Sequence, residues 1–285
     1  MSVIEVVGDL SDLAEPALIV SFQDWVDAGA AGSTAARHIA EGGELVARFD
    51  GDALFDFRSH RPVLDIEDGT YKDLQMPEMT LTRNRFDSRD VLVLTGPEPD
   101  YRWNEFAHSV LEIATQAHVV RHISLGAIPA AVPHTAPTPV MMTGSSSELL
   151  DGGGIATEGL LRVPAAAVSL IEWTLGHNGI GAVGFWAQVP HYLSPYPPGS
   201  IALIRRVESH LGVSIGVGEL EGEAAALSGR LDEMFSNRPE AKEYLEQLEQ
   251  LAGQPEVPGA DEIAAEVERF LRSQPGEGGP NPLSP

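Results

Sequence analysis

The sequence predicts an α/β protein: a mainly parallel sheet covered by helices on both faces, followed by a helical C-terminal region. Three observations predict it. From Val3 to about Val217, short apolar runs alternate with helix-length amphipathic stretches. Gly/Pro-rich turns separate the two kinds of segment. Beyond Glu219 those turns thin out and helical spacing takes over. Parallel strands need long crossover connections, and helices in those crossovers cover both faces of the sheet.

Each element has its own signal. Pro16 bounds an apolar run that predicts a buried strand over 17–22, leading into a small-residue helix over 28–40 and a strand over 44–49. Val-Leu-Val-Leu within 90–95 is a strong strand, ended by Gly96-Pro97. A helix over 103–117 follows, with Phe106, Val110, Leu111, Ala114 and Ala117 on one stripe. Strands are expected over 122–125, ended by Gly126, and over 140–143. Pro164 starts and Gly176 stops a helix over 165–175. A buried strand over 180–186 and a helix over 201–211 complete the alternation. Pro62, Pro77 and the stretch 65–85 interrupt the rhythm as an inserted hairpin or irregular loop.

Residues 1–217 thus form the α/β core, and 218–272 a helical region with helices over 221–235, 239–251 and 261–271. The Pro-, Gly- and Ser-rich stretch 273–285 is expected to be a disordered tail. The acidic outer faces of the helical region read as solvated surface or as a partner-binding or oligomerisation element.

Composition narrows the function classes. The chain of 285 residues, 43% hydrophobic, is long enough for one large α/β domain with an appendage. It carries 42 acidic against 18 basic residues, a formal net charge of -24, which repels nucleic-acid backbones. No polybasic run is present to hold anionic lipid. The absence of cysteine excludes disulfides, thiolate chemistry and cysteine-type zinc sites. No apolar run reaches the ~18–20 residues of a membrane span, and the first ten residues lack the basic region of a signal peptide. The expectation is a cytoplasmic protein with no nucleic-acid or membrane partner.

Chemistry concentrates in loops that follow strands, where parallel α/β sheets bind ligands. The first carries Asp24, Trp25 and Asp27; the second runs Gly96-Pro-Glu-Pro-Asp-Tyr-Arg-Trp103; the third runs from Gly126 to Thr135 and holds His134; the fourth runs from Trp186 to Leu193 and holds His191. On one rim they would gather Asp24, Trp25, Asp27, Asp100, Tyr101, Arg102, His134 and His191 into a candidate ligand or partner site. Each also has a structural reading. Asp24 can cap the helix that follows, and Asp27 can favour its dipole. Gly29 and Gly32 suit close helix packing better than phosphate binding. His134 and His191 can be hydrogen-bonded loop residues. Ser145–Ser147 with Gly152–Gly154 is the best phosphate-loop candidate but lacks the Walker pattern and reads as a flexible turn. Arg58, His60 and Arg61, in Phe55-Asp-Phe-Arg-Ser-His-Arg-Pro62, form a candidate anion or interface cluster, with Asp65, Glu67 and Asp68 as possible ion-pair partners. There alternation puts Phe55 and Phe57 on one face. No HxH, HExxH or GxSxG pattern occurs, so no metal, cofactor or hydrolase nucleophile is expected.

Five segments in one order carry a resemblance: DWVDAGAAG, FDFRSHRP, GPEPDYRW, GAIPAAVPHT and GFWAQVPHYL. Together they resemble the actinobacterial branch of the proteasome assembly chaperone 2 family, over about Val3 to Gly212. The resemblance implies a three-layer α/β/α domain, similar to the phosphorylase/hydrolase-like fold, with a mostly parallel mixed sheet. It implies a homo-oligomer, with a trimer as the first expectation, a non-catalytic role and a proteasome-related protein partner. Some archaeal members dock through a C-terminal hydrophobic-Tyr-X tail, whereas this chain ends Asn281-Pro-Leu-Ser-Pro285. The alternative is a protein that binds or transforms a nucleoside- or peptide-like small molecule at the carboxyl ends of the strands.

Overall fold

A computed structural model describes residues 3–150, 155–156 and 159–252. Strands β1 (Ile4–Val6) and β2 (Ala17–Gln23) are followed by a 3₁₀ turn (Ala28–Ala30), α1 (Ala31–Ala40), β3 (Glu44–Phe49) and the short α2 (Gly51–Leu54). Next come β4 (Val63–Glu67), β5 (Thr70–Gln75), β6 (Thr80–Phe86), β7 (Arg89–Pro97), α3 (Trp103–Gln116), β8 (Arg121–Ala130) and β9 (Val140–Gly144). A 3₁₀ turn (Ser147–Leu150) precedes β10 (Ile155–Ala156), α4 (Ala167–His177), β11 (Gly181–Pro190), α5 (Pro197–Leu211), α6 (Leu220–Ser236) and α7 (Pro239–Ala252).

Nine strands make one mixed sheet in the order β1-β3-β6-β7-β2-β8-β11-β9-β10. Its centre, β7-β2-β8-β11, is parallel, and antiparallel pairs extend it on both sides. Alternate residues of the central strands feed two apolar cores. Leu18, Val20 and Phe22 of β2 pack with Phe106, Val110 and Ile171 of α3 and α4. Ala17 and Ile19 of the same strand pack with Ala35, Ile39, Leu203 and Val207 of α1 and α5. Burial of each such large side chain contributes about 1.5–3 kcal/mol, and the two cores make the three layers. Leu220 of α6 joins the α1/α5 core, with Leu227 packed against it.

Several expectations change in detail, and glycine accounts for most of them. The helix expected over 28–40 is broken: Gly29 and Ala30 adopt left-handed φ values of 60° and 52°, and regular helix starts at Ala31. The break lets Tyr196 N–H donate to the Gly29 carbonyl at 2.9 Å, tying this turn to the start of α5. Gly176 does not stop α4. It lies inside the helix, where a Cβ would stand 2.5 Å from Ser145 Cβ, and the helix ends at Asn178 and Gly179. β8 and β11 run past Gly126 and Trp186, in parallel register to Ala130 and Pro190. The interruption over 65–85 divides in two: β4 and β5 form a separate hairpin, while β6 joins the main sheet beside β7. The stretch 55–62 is no strand but a turn, in which Asp56 accepts from the N–H groups of Arg58, Ser59 and His60. The helix expected over 261–271 and the tail 273–285 lie outside the described residues.

A Cβ at position 29 would stand 2.8 Å from Tyr196 Cβ and would also occupy a left-handed backbone. Gly29→Ala should therefore cost about 1–3 kcal/mol, read as a lower urea midpoint. An unchanged midpoint would mean that this turn is free to rearrange.

Candidate functional site

Helix α1 leaves β2 toward one face of the sheet and α3 leaves β7 toward the other. The loops after these adjacent parallel strands therefore part, and a cleft opens at their carboxyl ends. It has a volume of about 600 Å³ and is walled by Asp24, Trp25, His60, Glu98, Asp100 and Trp103. His60 sits between two carboxylates, Nδ1 3.8 Å from Asp24 Oδ2 and Nε2 3.4 Å from Asp100 Oδ2. Its ring is edge-on to buried Phe55, with centroids 5.4 Å apart. The basic cluster thus splits. His60 faces the cleft instead of Asp65, Glu67 or Asp68, while Arg58 and Arg61 are exposed.

The carboxylates do different work. Asp24, at φ 85°, is exposed and makes no helix cap. Asp27 takes that role: its Oδ1 accepts from Ser33 N–H at 2.9 Å in the first turn of α1. Burial pushes the Asp27 carboxyl up to about 6, against the hydrogen bonds from Ser33 and Gly32. Glu98 reaches across the cleft to accept from Ala167 N–H at 2.6 Å, which holds the start of α4. Its carboxyl is also raised, by burial first and then by the charges of Asp24 and Asp100. Asp100 Oδ2 accepts from Asp56 N–H at 2.7 Å. The Tyr101 hydroxyl donates to Asp56 Oδ2 at 3.3 Å, and the Asp56 charge raises its pKa. Arg102, left-handed at φ 58°, pairs with Glu105 at 2.6 Å and 2.8 Å.

The histidines of the third and fourth loops belong elsewhere. His134 Nδ1 lies 2.9 Å from the Tyr192 hydroxyl, with the Phe235 ring at 4.8 Å, and His191 Nε2 lies 3.3 Å from the Tyr244 hydroxyl. The two stitch the strand ends to α6 and α7. All four loops leave the carboxyl ends of parallel strands, but the histidines of the third and fourth do not line the cleft. Among the described residues, no three histidine or acidic side chains are grouped to hold a metal ion.

A second cavity, of about 370 Å³, adjoins the cleft through Trp25 and lies between α4 and the β8-β11-β9 region. Its wall includes Trp25, Trp186, Thr143, Glu172, Trp173 and His177. Glycine makes the room. A Cβ at Gly126 would stand 2.6 Å from the Trp186 ring, and one at Gly184 2.7 Å from it, so the indole lies over both. Trp186 Nε1–H donates to Thr143 Oγ1 at 2.9 Å, and that hydroxyl donates to Glu172 Oε1 at 3.0 Å. Burial raises the Glu172 carboxyl, with Thr143 and Ser124 acting in the opposite direction. Sequence reasoning missed Glu172, Thr143 and Trp173. The available signal was a glycine, Gly184, inside a buried strand two residues before Trp186, where a strand interior would ordinarily carry a larger side chain.

Fold and site together define a three-layer α/β/α protein with a cleft at the carboxyl ends of its central parallel strands. The PAC2 family model matches residues 21–235, and the chain belongs to that family. A proteasome-assembly chaperone homologue of Mycobacterium tuberculosis is 32% identical, with a TM-score of 0.74 over 80% of this chain and 99% of that one. A PAC2 family protein of Streptomyces avermitilis is 32% identical, with a TM-score of 0.72 over 80% and 99%. A Corynebacterium glutamicum protein of unknown function is 30% identical, with a TM-score of 0.82 over 88% and 97%. The Mycobacterium and Streptomyces relatives place the chain in the actinobacterial branch. No curated protein matches it significantly.

Asp27 ties the first loop to pH. Its folded pKa of about 6 exceeds the ordinary 3.8, so the native state holds the proton more tightly than the unfolded chain. The ionised form therefore costs nothing well below about pH 4 and up to about 3 kcal/mol above about pH 6. Asp27→Asn should gain thermal midpoint relative to the parent as the buffer moves from about pH 4.5 to about pH 7.5. A difference that stays constant across that range would contradict the burial argument.

Proposed function

We propose that the protein is a homo-oligomeric, non-catalytic partner-binding module, assembled as a trimer and engaging a proteasome-related protein. The partner is suggested by the family and by the Mycobacterium tuberculosis relative described as a proteasome-assembly chaperone homologue. The observation that carries the oligomer is the β4–β5 hairpin. Leu64 pairs with Leu74 and Ile66 with Tyr71, which puts four large apolar side chains on one face. All four are exposed in the single chain, Tyr71 at 74%. A lone two-stranded ribbon is marginal in water, and an apolar face of this kind is stabilised by burial against another surface.

A second reading has its own observation. The two adjoining cavities at the strand carboxyl ends fit a small-molecule site, for which a nucleoside- or peptide-like ligand is the class first expected.

Light scattering should give the mass of a trimer for the parent and a lower mass for Ile66→Asp, which places a charge in the apolar face of the hairpin. A monomeric parent would overturn the oligomer. Crosslinking in cells followed by mass spectrometry should recover proteasome subunits with the tagged protein. Recovery of the protein alone would sink the partner.

A further inference from the structure

The cavity beneath α4 has a composition that selects among ligands. The chain contains four tryptophans, and three of them, Trp25, Trp173 and Trp186, line this one cavity. Among the described residues, Glu172 is the only carboxylate lining it, and no lysine or arginine lines it. Indole faces carry negative electrostatic potential and attract cations, most strongly when the cation is desolvated. Behind them stands a carboxylate with one oxygen already held by Thr143. Its other oxygen, Oε2, is sealed from solvent with no hydrogen bond formed among the described residues, while the Ser124 hydroxyl is near enough to favour its charge. A buried carboxylate without full pairing is costly, and a nearby positive charge relieves that cost. Trp173, 64% exposed, and Trp25, 39% exposed, keep the mouth open, while Trp186 is fixed by its bond to Thr143.

We propose that this cavity binds an organic cation: an ammonium head carried on a compact apolar body, with the head among the indoles and Glu172 as its counter-charge. The inference deepens the small-molecule reading and rests on it. A volume of about 370 Å³ suits a ligand with one ring and a short chain. The chain's net charge of -24 draws cations toward the mouth and repels anionic nucleotides.

Tryptophan fluorescence titration of the full chain with 4-phenylbutylamine and 4-phenylbutan-1-ol, matched in size and differing in charge at neutral pH, tests this. The amine should saturate with a Kd roughly tenfold below that of the alcohol. Glu172→Gln, nearly the same shape, should weaken the amine by roughly tenfold and leave the alcohol unchanged, erasing the preference. Trp173→Leu, at an exposed position, provides a second variant if Glu172→Gln unfolds. It should weaken the amine more than the alcohol. Equal affinities in the parent, or a preference that survives both variants, would overturn the cation while leaving a small-molecule site standing. No saturable change with either probe would overturn both.

Discussion

The central constraint is the burial of β2 on both faces. It pairs in parallel with β7 on one side and β8 on the other, so no edge of it meets water. Its side chains divide between two cores. A strand in that position forces the helices before and after its neighbours to opposite faces, and that separation opens the cleft. The polar groups clustered there are a consequence, because loop backbone and carboxylates must be satisfied where the layers part. Glu98 illustrates this: a side chain from the β7 loop supplies the acceptor that the start of α4 needs.

The face of β8 toward α4 carries a second constraint. His122 and Ser124 are fully buried there, and His122 Nε2 lies 2.9 Å from Ser124 Oγ. Burial holds the His122 imidazole down at about 3, so it stays neutral at physiological pH. Its folded value lies below the ordinary 6.5, so its contribution to stability is present above that pH and fades as pH falls toward 3. Beyond these two residues come Gly126 and, on β11, Gly184 and Trp186. Polar and small residues on a core-facing surface leave a cavity where leucine or valine would have filled one.

Much of the architecture was legible in the sequence. Val-Leu-Val-Leu in β7 and the Phe106/Val110 stripe of α3 are strong local signals, and the structure places both elements there. The ends were less legible, because glycine has two uses. At Gly126 and Gly176 it was read as punctuation, whereas both positions provide space for a neighbour, Trp186 and Ser145. Local spacing cannot distinguish a residue that turns the chain from one that admits a side chain from elsewhere. The same limit governs the site. Asp24 and Asp100 were visible as carboxylates after strands, yet His60 comes between them only through the turn built on Asp56. His134 meets Phe235 across about a hundred residues of sequence, a contact that depends on how α6 returns to the sheet.

The indole of Trp186 lies over two glycines and is pinned by Thr143, whereas Trp173, at the mouth of the cavity, has most of its surface in solvent. The cavity therefore has a stiff floor and a compliant entrance. A ligand of the proposed kind would be sorted by thickness against the floor, where any adjustment would have to move the indole held over two glycines. Its length and branching would meet only the exposed side chains of Trp173 and Trp25 at the entrance. Close homologues of one ligand would be discriminated poorly, and flat would be separated from bulky sharply.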